Sequence, residues 1–146
     1  MVMELAFSID RDGLVEDTHA VVYKQLGAWV RTCYGSPLQM TTGVGASFSL
    51  RLRKGDVFDR FQLTEDIVMG QRVRSYRIDM ESGGSSAVTL LSGDAIGQKR
   101  IHLLPQPVSV STEEATLTLH ISEAVAPAHI KSFGVYRPCT DGNSTR

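Results

Sequence analysis

The 146-residue sequence has no excess of charge of either sign. Its 15 basic and 16 acidic residues give a formal net charge of -1, which creates no field able to gather a polyphosphate chain or an anionic membrane. Long apolar runs are also absent, since stretches such as Ala20-Val21-Val22 fall far short of the roughly 20 residues of a spanning helix. We therefore expect neither nucleic acid nor a membrane as a partner.

Export signals and closely spaced cysteines are lacking too. The stretch from Met1 to Phe7 has no basic segment and carries Glu4 where a signal peptide needs an apolar run, so no signal peptide is expected. Cys33 and Cys139 lack the spacing of a zinc or redox pair, so two independent thiols are the favoured interpretation. The alternative is a disulfide, which would close a loop of about 100 residues and contribute roughly 4 to 5 kcal/mol in the chain-entropy model.

One amphipathic helix is predicted near the start of the chain, over residues 16–33. Asp17 and Thr18 are good N-caps, while Gly35 and Pro37 lie where a helix is expected to stop. Apolar residues recur at helical spacing along one face of this segment. These are Val22, Leu26, Trp29 and Val30.

From about residue 42 the apolar period changes to two, which is typical of half-buried strands. Seven short strands joined by turn-forming residues predict an antiparallel β-sandwich, because each one-faced sheet must cover its apolar side with another sheet. We place the sandwich at residues 42–138 and a mobile tail at 139–146. The strands are marked by Phe48 to Leu52, Phe61 and Leu63, Tyr76 to Met80, Val88 and Leu90, Ile101 and Leu103, Leu117 to Ile121, and Ile130 to Tyr136.

Two ordered passages carry a family resemblance. The first is Asp10-Arg11-Asp12-Gly13-Leu14-Val15, then Leu26-Gly27-Ala28-Trp29-Val30-Arg31 and Tyr34-Gly35-Ser36-Pro37-Leu38. The second is Phe58 to Ile67, then Gly70-Gln71-Arg72-Val73, Ile96 to Ile101 and Phe133 to Tyr136. Together they resemble the C-terminal region of the α-L-fucosidase family of glycoside hydrolases. The sequence departs from the family pattern at Phe7-Ser8-Ile9-Asp10 and at Gly83-Gly84-Ser85-Ser86.

The resemblance implies that residues 1–41 are the exit from a catalytic barrel and that the sandwich is galactose-binding-like, of the jelly-roll type. It also implies that the family's catalytic carboxylates lie outside this sequence, so no catalytic residue is assigned. Retaining glycosidases need two carboxyl groups about 5 Å apart around the scissile bond. We therefore expect a non-catalytic accessory or structural module. The alternatives are a fragment of a full α-L-fucosidase that hydrolyses terminal α-L-fucosyl linkages, and a free-standing lectin-like module.

Two candidate contact surfaces follow. Arg72, Lys99, Arg100 and His102 could present donors to the hydroxyls of a fucosylated glycan at one end of the sandwich, although solvated charge is the favoured interpretation. The helix stripe of Val22, Leu26, Trp29 and Val30 could contact a catalytic barrel, because a short sandwich covers it only in part.

Metal and cofactor sites are not predicted. Asp56, Asp59, Glu65 and Asp66 form the densest carboxylate group, and calcium prefers such hard oxygen ligands. Surface charge is nevertheless the favoured interpretation of these acids, because no six-ligand loop is spelled out. The four histidines show no pair at metal-ligand spacing.

Overall fold

The computed structural model describes residues 17–139, and within them two compact units, one ending at Ser36 and one beginning at Pro37. The passage from Asp10 to Gly13 and the predicted tail after residue 139 lie outside the described residues. In the part that is described, no helix is both long and apolar enough to cross a bilayer. The elements are α1 (Asp17–Tyr34), β1 (Gln39–Gly45), β2 (Ser47–Arg53), β3 (Val57–Glu65), β4 (Val73–Ser82), β5 (Val88–Gly93), β6 (Arg100–Ser109), β7 (Glu114–Ala124) and β8 (Ala128–Tyr136).

The predicted helix is confirmed, with its end fixed by local chemistry. Gly35 donates its backbone N–H to the Arg31 carbonyl at 2.7 Å. A Cβ at Gly35 would collide with that same carbonyl oxygen, so only glycine fits the closing turn. One turn earlier, the Thr32 hydroxyl donates to the Ala28 carbonyl at 3.0 Å. Threonine hydroxyls inside helices often donate to the carbonyl four residues before them.

The eight strands form two four-stranded sheets, and every strand pairing is antiparallel. The first sheet has the order β1-β8-β3-β6 and the second has the order β2-β7-β4-β5. Consecutive strands therefore alternate between the sheets at most steps, which is the connectivity of a jelly roll. The predicted fold class is confirmed: a mainly β antiparallel sandwich of the jelly-roll type with one helix near the N-terminus.

The core lies between the two sheets and is mainly apolar. Strand β2 shows the driving pattern most clearly, since Phe48, Leu50 and Leu52 are buried while the serines and arginines between them are exposed. Burying apolar area of this kind is the main term that stabilises a sandwich. The largest fully buried hydrophobic side chains are Leu52, Phe58, Phe61, Leu63, Val73, Tyr76, Ile78, Leu117, Leu119, Ile130 and Phe133.

Two strands differ from a simple alternating pattern. Strand β1 was not predicted, because its sequence QMTTGVG mixes polar residues with glycine and has no apolar face. It holds its edge position through a ladder to β8, supplemented by the Thr42 hydroxyl donating to the Ile130 carbonyl at 3.0 Å. In β6, Ile101 and Leu103 point outward and Leu103 is 69% exposed, while His102 faces the interior.

The favoured interpretation of the cysteines as independent thiols is wrong, and the alternative of disulfide bonding holds. Both cysteines of the chain, Cys33 and Cys139, are disulfide-bonded, and no free thiol is present among the described residues. The expectation of independent thiols rested on sequence spacing alone, which does not show whether a cysteine is oxidised.

Candidate functional site

The four predicted glycan-contact residues come from two segments that meet at one end of the sandwich. Arg72 lies between β3 and β4, and the other three lie at or just after the turn that contains Gly97. The two segments are joined because Glu65, the last residue of β3, donates its backbone N–H to the Gly97 carbonyl at 3.3 Å. The structure therefore brings the segments together, but it gives the four side chains different surroundings.

Arg72 is tied to backbone carbonyls. Its Nε donates to the Met69 carbonyl at 3.1 Å and its Nη1 donates to the Pro127 carbonyl at 3.0 Å. The Arg72 carbonyl in turn accepts from the Val125 N–H at 3.0 Å. The guanidinium thus connects the β3–β4 loop to the β7–β8 loop. Its planar geometry lets it donate to both carbonyls at once.

Lys99 and Arg100 lie on the surface beside the Gly97 turn. Arg100 donates from Nη1 to the Ala95 carbonyl at 2.6 Å and so closes its own loop. Lys99 makes no hydrogen bond or ion pair with a described residue. Of the predicted group, Lys99 therefore has the side chain most available to a ligand.

His102 is a partly buried interior residue. Its Nε2 lies 2.6 Å from the hydroxyl of Tyr76, a residue of the opposite sheet that is almost fully buried. The two rings meet edge to face, with centroids 5.8 Å apart. Burial lowers the pKa of His102, with a further contribution from the nearby Arg100 cation. Burial also raises the pKa of the Tyr76 phenol, against an opposing effect of Arg100.

The carboxylate group that includes Glu65 does not behave as one surface cluster. Glu65 is 2% exposed, so its interpretation as surface charge is wrong. Its Oε1 accepts from the backbone N–H groups of Arg72 at 2.6 Å and Val73 at 3.1 Å, while Oε2 has no hydrogen-bond partner among the described residues. Accepting from two N–H groups where the chain enters β4, one of them buried, explains why this side chain lies inside.

The other acids of that group also serve the local backbone. Asp56 accepts from the Arg53 N–H at 2.9 Å, and Asp66 accepts from the Val68 N–H at 3.2 Å, capping the 3₁₀ turn Ile67–Met69. Asp59 pairs with Arg60 at 3.0 Å. Across residues 17–139, no three histidine, cysteine or acidic side chains are grouped so that they could hold a metal ion.

Three glutamates line a depression of about 530 Å³ at the opposite end of the sandwich. They are Glu81, Glu113 and Glu114, and Gly83 and Gly84 complete much of the wall. The Glu113 side chain is almost fully exposed and pairs with Lys54 at 3.3 Å. Acids in such open surroundings remain hydrated, which does not favour the shielded pair of carboxyls that glycosidic cleavage needs.

The four residues of the predicted helix stripe differ in their exposure to solvent. Trp29 is 44% exposed and Val30 is 42% exposed, whereas Val22 and Leu26 are half-buried. The two exposed members keep the stripe as a candidate contact surface.

A charged network on the second sheet escaped the sequence prediction. Asp79 of β4 is 7% exposed although it points away from the core, and it accepts from Arg77 and Thr89. Arg77 and Asp79 are two residues apart on one strand, so they share a face. That spacing of opposite charges was the signal that could have revealed the network.

No protein-family model matches the sequence, and no curated protein matches it either. Solved structures do. A protein from Bacteroides thetaiotaomicron that is assigned as an α-L-fucosidase matches with a TM-score of 0.78 and 28% identity, over 90% of this chain and 29% of that chain. The resemblance predicted from the sequence motifs is confirmed by this match.

More distant structures share the fold. A glycoside hydrolase 29 family member from an unknown rumen bacterium matches with a TM-score of 0.70 and 23% identity, over 94% of this chain and 26% of that one. A Ruminococcus gnavus GH29 fucosidase, solved with fucose, matches with a TM-score of 0.65 and 18% identity, over 91% and 32% of the two chains. The chain thus spans about a third or less of the length of these neighbours.

Proposed function

We propose that this chain is a non-catalytic accessory module of an α-L-fucosidase-like glycoside hydrolase. The observation that carries the proposal is the 28% identical match, which takes in 90% of this chain and only 29% of the fucosidase. The remaining 71% of the neighbour's chain has no counterpart in this match. The sandwich is then the portion that supports a catalytic domain.

The placement of the acids supports the non-catalytic role. The two buried carboxylates, Glu65 and Asp79, are occupied by backbone N–H groups and by Arg77 respectively. They lie on different parts of the sandwich, one at the end of β3 and one on the outward side of β4. A retaining glycosidase requires two carboxyls about 5 Å apart on either side of one sugar bond. The separate positions of Glu65 and Asp79 do not fit such a pair.

The first test is hydrolysis of an aryl α-L-fucoside by the purified chain, for which we expect no turnover above the rate in buffer. A matched variant carries Glu81→Gln, Glu113→Gln and Glu114→Gln, which removes the carboxylates of the acidic depression. Turnover by the natural chain that disappears in this triple variant would overturn the non-catalytic assignment.

The second test addresses support of a catalytic domain. In the Bacteroides thetaiotaomicron protein, the matched segment is replaced by this chain, and the chimera is compared with a deletion of the same segment. We expect the chimera to retain a higher melting temperature than the deletion variant. In the chimera, the partner surface would include Trp29 and Val30, so Trp29→Ser should lower its melting temperature while Lys24→Ser, on an exposed helix position, should not.

A second candidate is that the chain is a fragment of a complete fucosidase. The same match favours it, because the neighbours are about three or more times longer than the matched region. Reading the coding sequence around this segment decides between the two, since a fragment would continue into a barrel with paired carboxylates.

A further inference from the structure

The outward side of the second sheet carries a continuous row of polar side chains. In strand register, Ser49 of β2 lies opposite Thr118 of β7, Thr118 lies opposite Asp79 of β4, and Asp79 lies opposite Thr89 of β5. Neighbouring strands are about 4.8 Å apart, so the row is about 14 Å long. Beside it, Arg77 lies opposite His120. We call these six residues the polar face.

Asp79 is the centre of the polar face. Its Oδ1 accepts from the Thr89 hydroxyl at 2.7 Å, and its Oδ2 accepts from Arg77 Nε at 2.9 Å. His120 Nε2 lies 3.4 Å from the same Oδ2. The hydrogen bond from Arg77 is the main cause that lowers the pKa of Asp79, so the carboxylate is ionised at neutral pH. Polar residues are usual on the solvent-facing side of a sheet. A carboxylate that neighbouring side chains cover on that side is unusual.

The network leaves oriented donors pointing outward. Arg77 uses Nε for Asp79, and its two terminal nitrogens bond no described residue, while its side chain is 48% exposed. His120 Nε2 lies 3.4 Å from the same carboxylate oxygen, and the His120 side chain is 36% exposed. Ser49 and Thr118 share one hydrogen bond at 3.2 Å, which leaves the second hydroxyl hydrogen and several lone pairs available.

The nearly neutral charge of this surface favours an uncharged ligand. Asp79 and Arg77 neutralise each other, so the face offers fixed donors and acceptors without a strong net charge. Adjacent hydroxyls of a sugar act as donors and acceptors together, and they match such a surface. Phosphate or sulfate groups would instead need an excess of cationic donors.

We propose that the polar face binds a neutral oligosaccharide, with the sugar chain lying along the row from Ser49 to Thr89. The assignment rests on the proposed function, since it gives the accessory module a glycan to hold. It replaces the predicted contact group at the Gly97 turn, where Arg72 and Arg100 already serve backbone carbonyls. No aromatic residue of strands β2, β4, β5 or β7 points outward, so binding relies on hydrogen bonds rather than ring stacking. The expected dissociation constant is therefore about millimolar.

The test is an amide NMR titration of the whole chain with cellohexaose and with fucosyllactose as neutral probes and a sulfated heparin hexasaccharide as an anionic probe. We expect a neutral probe to shift amides of β2, β4, β5 and β7. The double variant Thr118→Val/His120→Ala removes two polar partners while keeping a β-branched residue in the strand. It should weaken binding by at least about tenfold. The control Lys99→Ala should bind like the natural chain, and melting curves show whether each variant is folded.

The alternatives give different results. Shifts confined to residues 95–102 and lost in Lys99→Ala would place the glycan at the Gly97 turn and overturn the assignment. A response to the sulfated probe alone, or no response to any probe up to its solubility limit, would overturn it as well. These failures are distinguishable from failure of the proposed function, which is decided by the fucoside assay and by the melting temperature of the chimera.

Discussion

Tyr76 and His102 join the two sheets through a hydrogen bond of 2.6 Å between the phenolic oxygen and Nε2. The bond crosses the interior of the sandwich close to one end, where it is a polar contact within an otherwise apolar layer. Because both partners are withdrawn from water, each one's neutral form is favoured in the folded protein.

The first prediction concerns stability in mild acid. The pKa of His102 is lower in the folded than in the unfolded chain, so below about pH 6.5 the unfolded state binds more protons. Stability contributed by this group is complete above pH 6.5 and is lost as the pH falls toward the folded pKa. Urea unfolding across this window should show the decrease, and His102→Gln should reduce its slope. An unchanged slope in the variant would contradict the assignment.

Gly93 is predicted to tolerate no side chain. A Cβ at this position would overlap the hydroxyl oxygen of Tyr76 and the ring carbon that carries it. Gly93→Ala should therefore cost about 1 to 3 kcal/mol of unfolding free energy through overpacking. Ser92→Ala, at the adjacent exposed position, is the control and should change the free energy by less than about 0.5 kcal/mol. Equal stability of the two variants would show that Tyr76 can move aside.

The cysteines give a chemical prediction. Since Cys33 and Cys139 are disulfide-bonded, the unreduced protein should show no reactive thiol in denaturant and two after reduction. Reduction should lower the free energy of unfolding by roughly 4 to 5 kcal/mol in the chain-entropy model. Thiol titration before and after reduction checks the first part, and urea unfolding checks the second. Two thiols in the unreduced sample would contradict the structure.

Much of the fold was predictable because alternation and helical spacing report burial directly. Strand β2, with Phe48, Leu50 and Leu52 inward, is the clearest case. Strand β1 was not predictable in the same way, because an edge strand with glycine and threonine is specified by its neighbour β8 and not by its own pattern. The outward direction of Leu103 likewise depends on pairing with β3, which sequence alone does not reveal.

The candidate sites were harder to predict than the fold. A charged residue in a sequence has an unknown partner, and the partner decides its role. Arg72 stays a predicted ligand contact, but the structure adds a role that its sequence does not show, since its fork donates to two carbonyls from different loops. The sequence predicts surface charge at Glu65 because it does not show that the N–H groups bound to this side chain come from Arg72 and Val73, at the entry to the next strand. The stabilising partners of both lie in another element.

Glu65 is predicted to be a strong determinant of stability. Glu65→Ala would leave the buried N–H groups of Arg72 and Val73 without an acceptor, at a cost of about 3 kcal/mol or more. Glu65→Gln keeps an acceptor oxygen in the same place and should cost less than half as much. Asp66→Ala, which removes only the cap of an exposed turn, should cost about 1 kcal/mol. Far-UV circular dichroism during urea unfolding measures all three, and equal losses for Ala and Gln would exclude the acceptor role.

A substitution at Arg72 can distinguish a structural role from a ligand-binding role. Arg72→Lys keeps the charge, but an ammonium cannot reproduce the fork that reaches both the Met69 and the Pro127 carbonyls. We expect a loss of about 1 to 2 kcal/mol and faster hydrogen exchange at residues 67–69 and 125–127. Arg74→Lys is the matched control, since the Arg74 side chain is exposed and bonds no described residue. If Arg72→Lys instead left stability and exchange unchanged while weakening glycan binding, the guanidinium would be a ligand contact and the loop-joining role would be wrong.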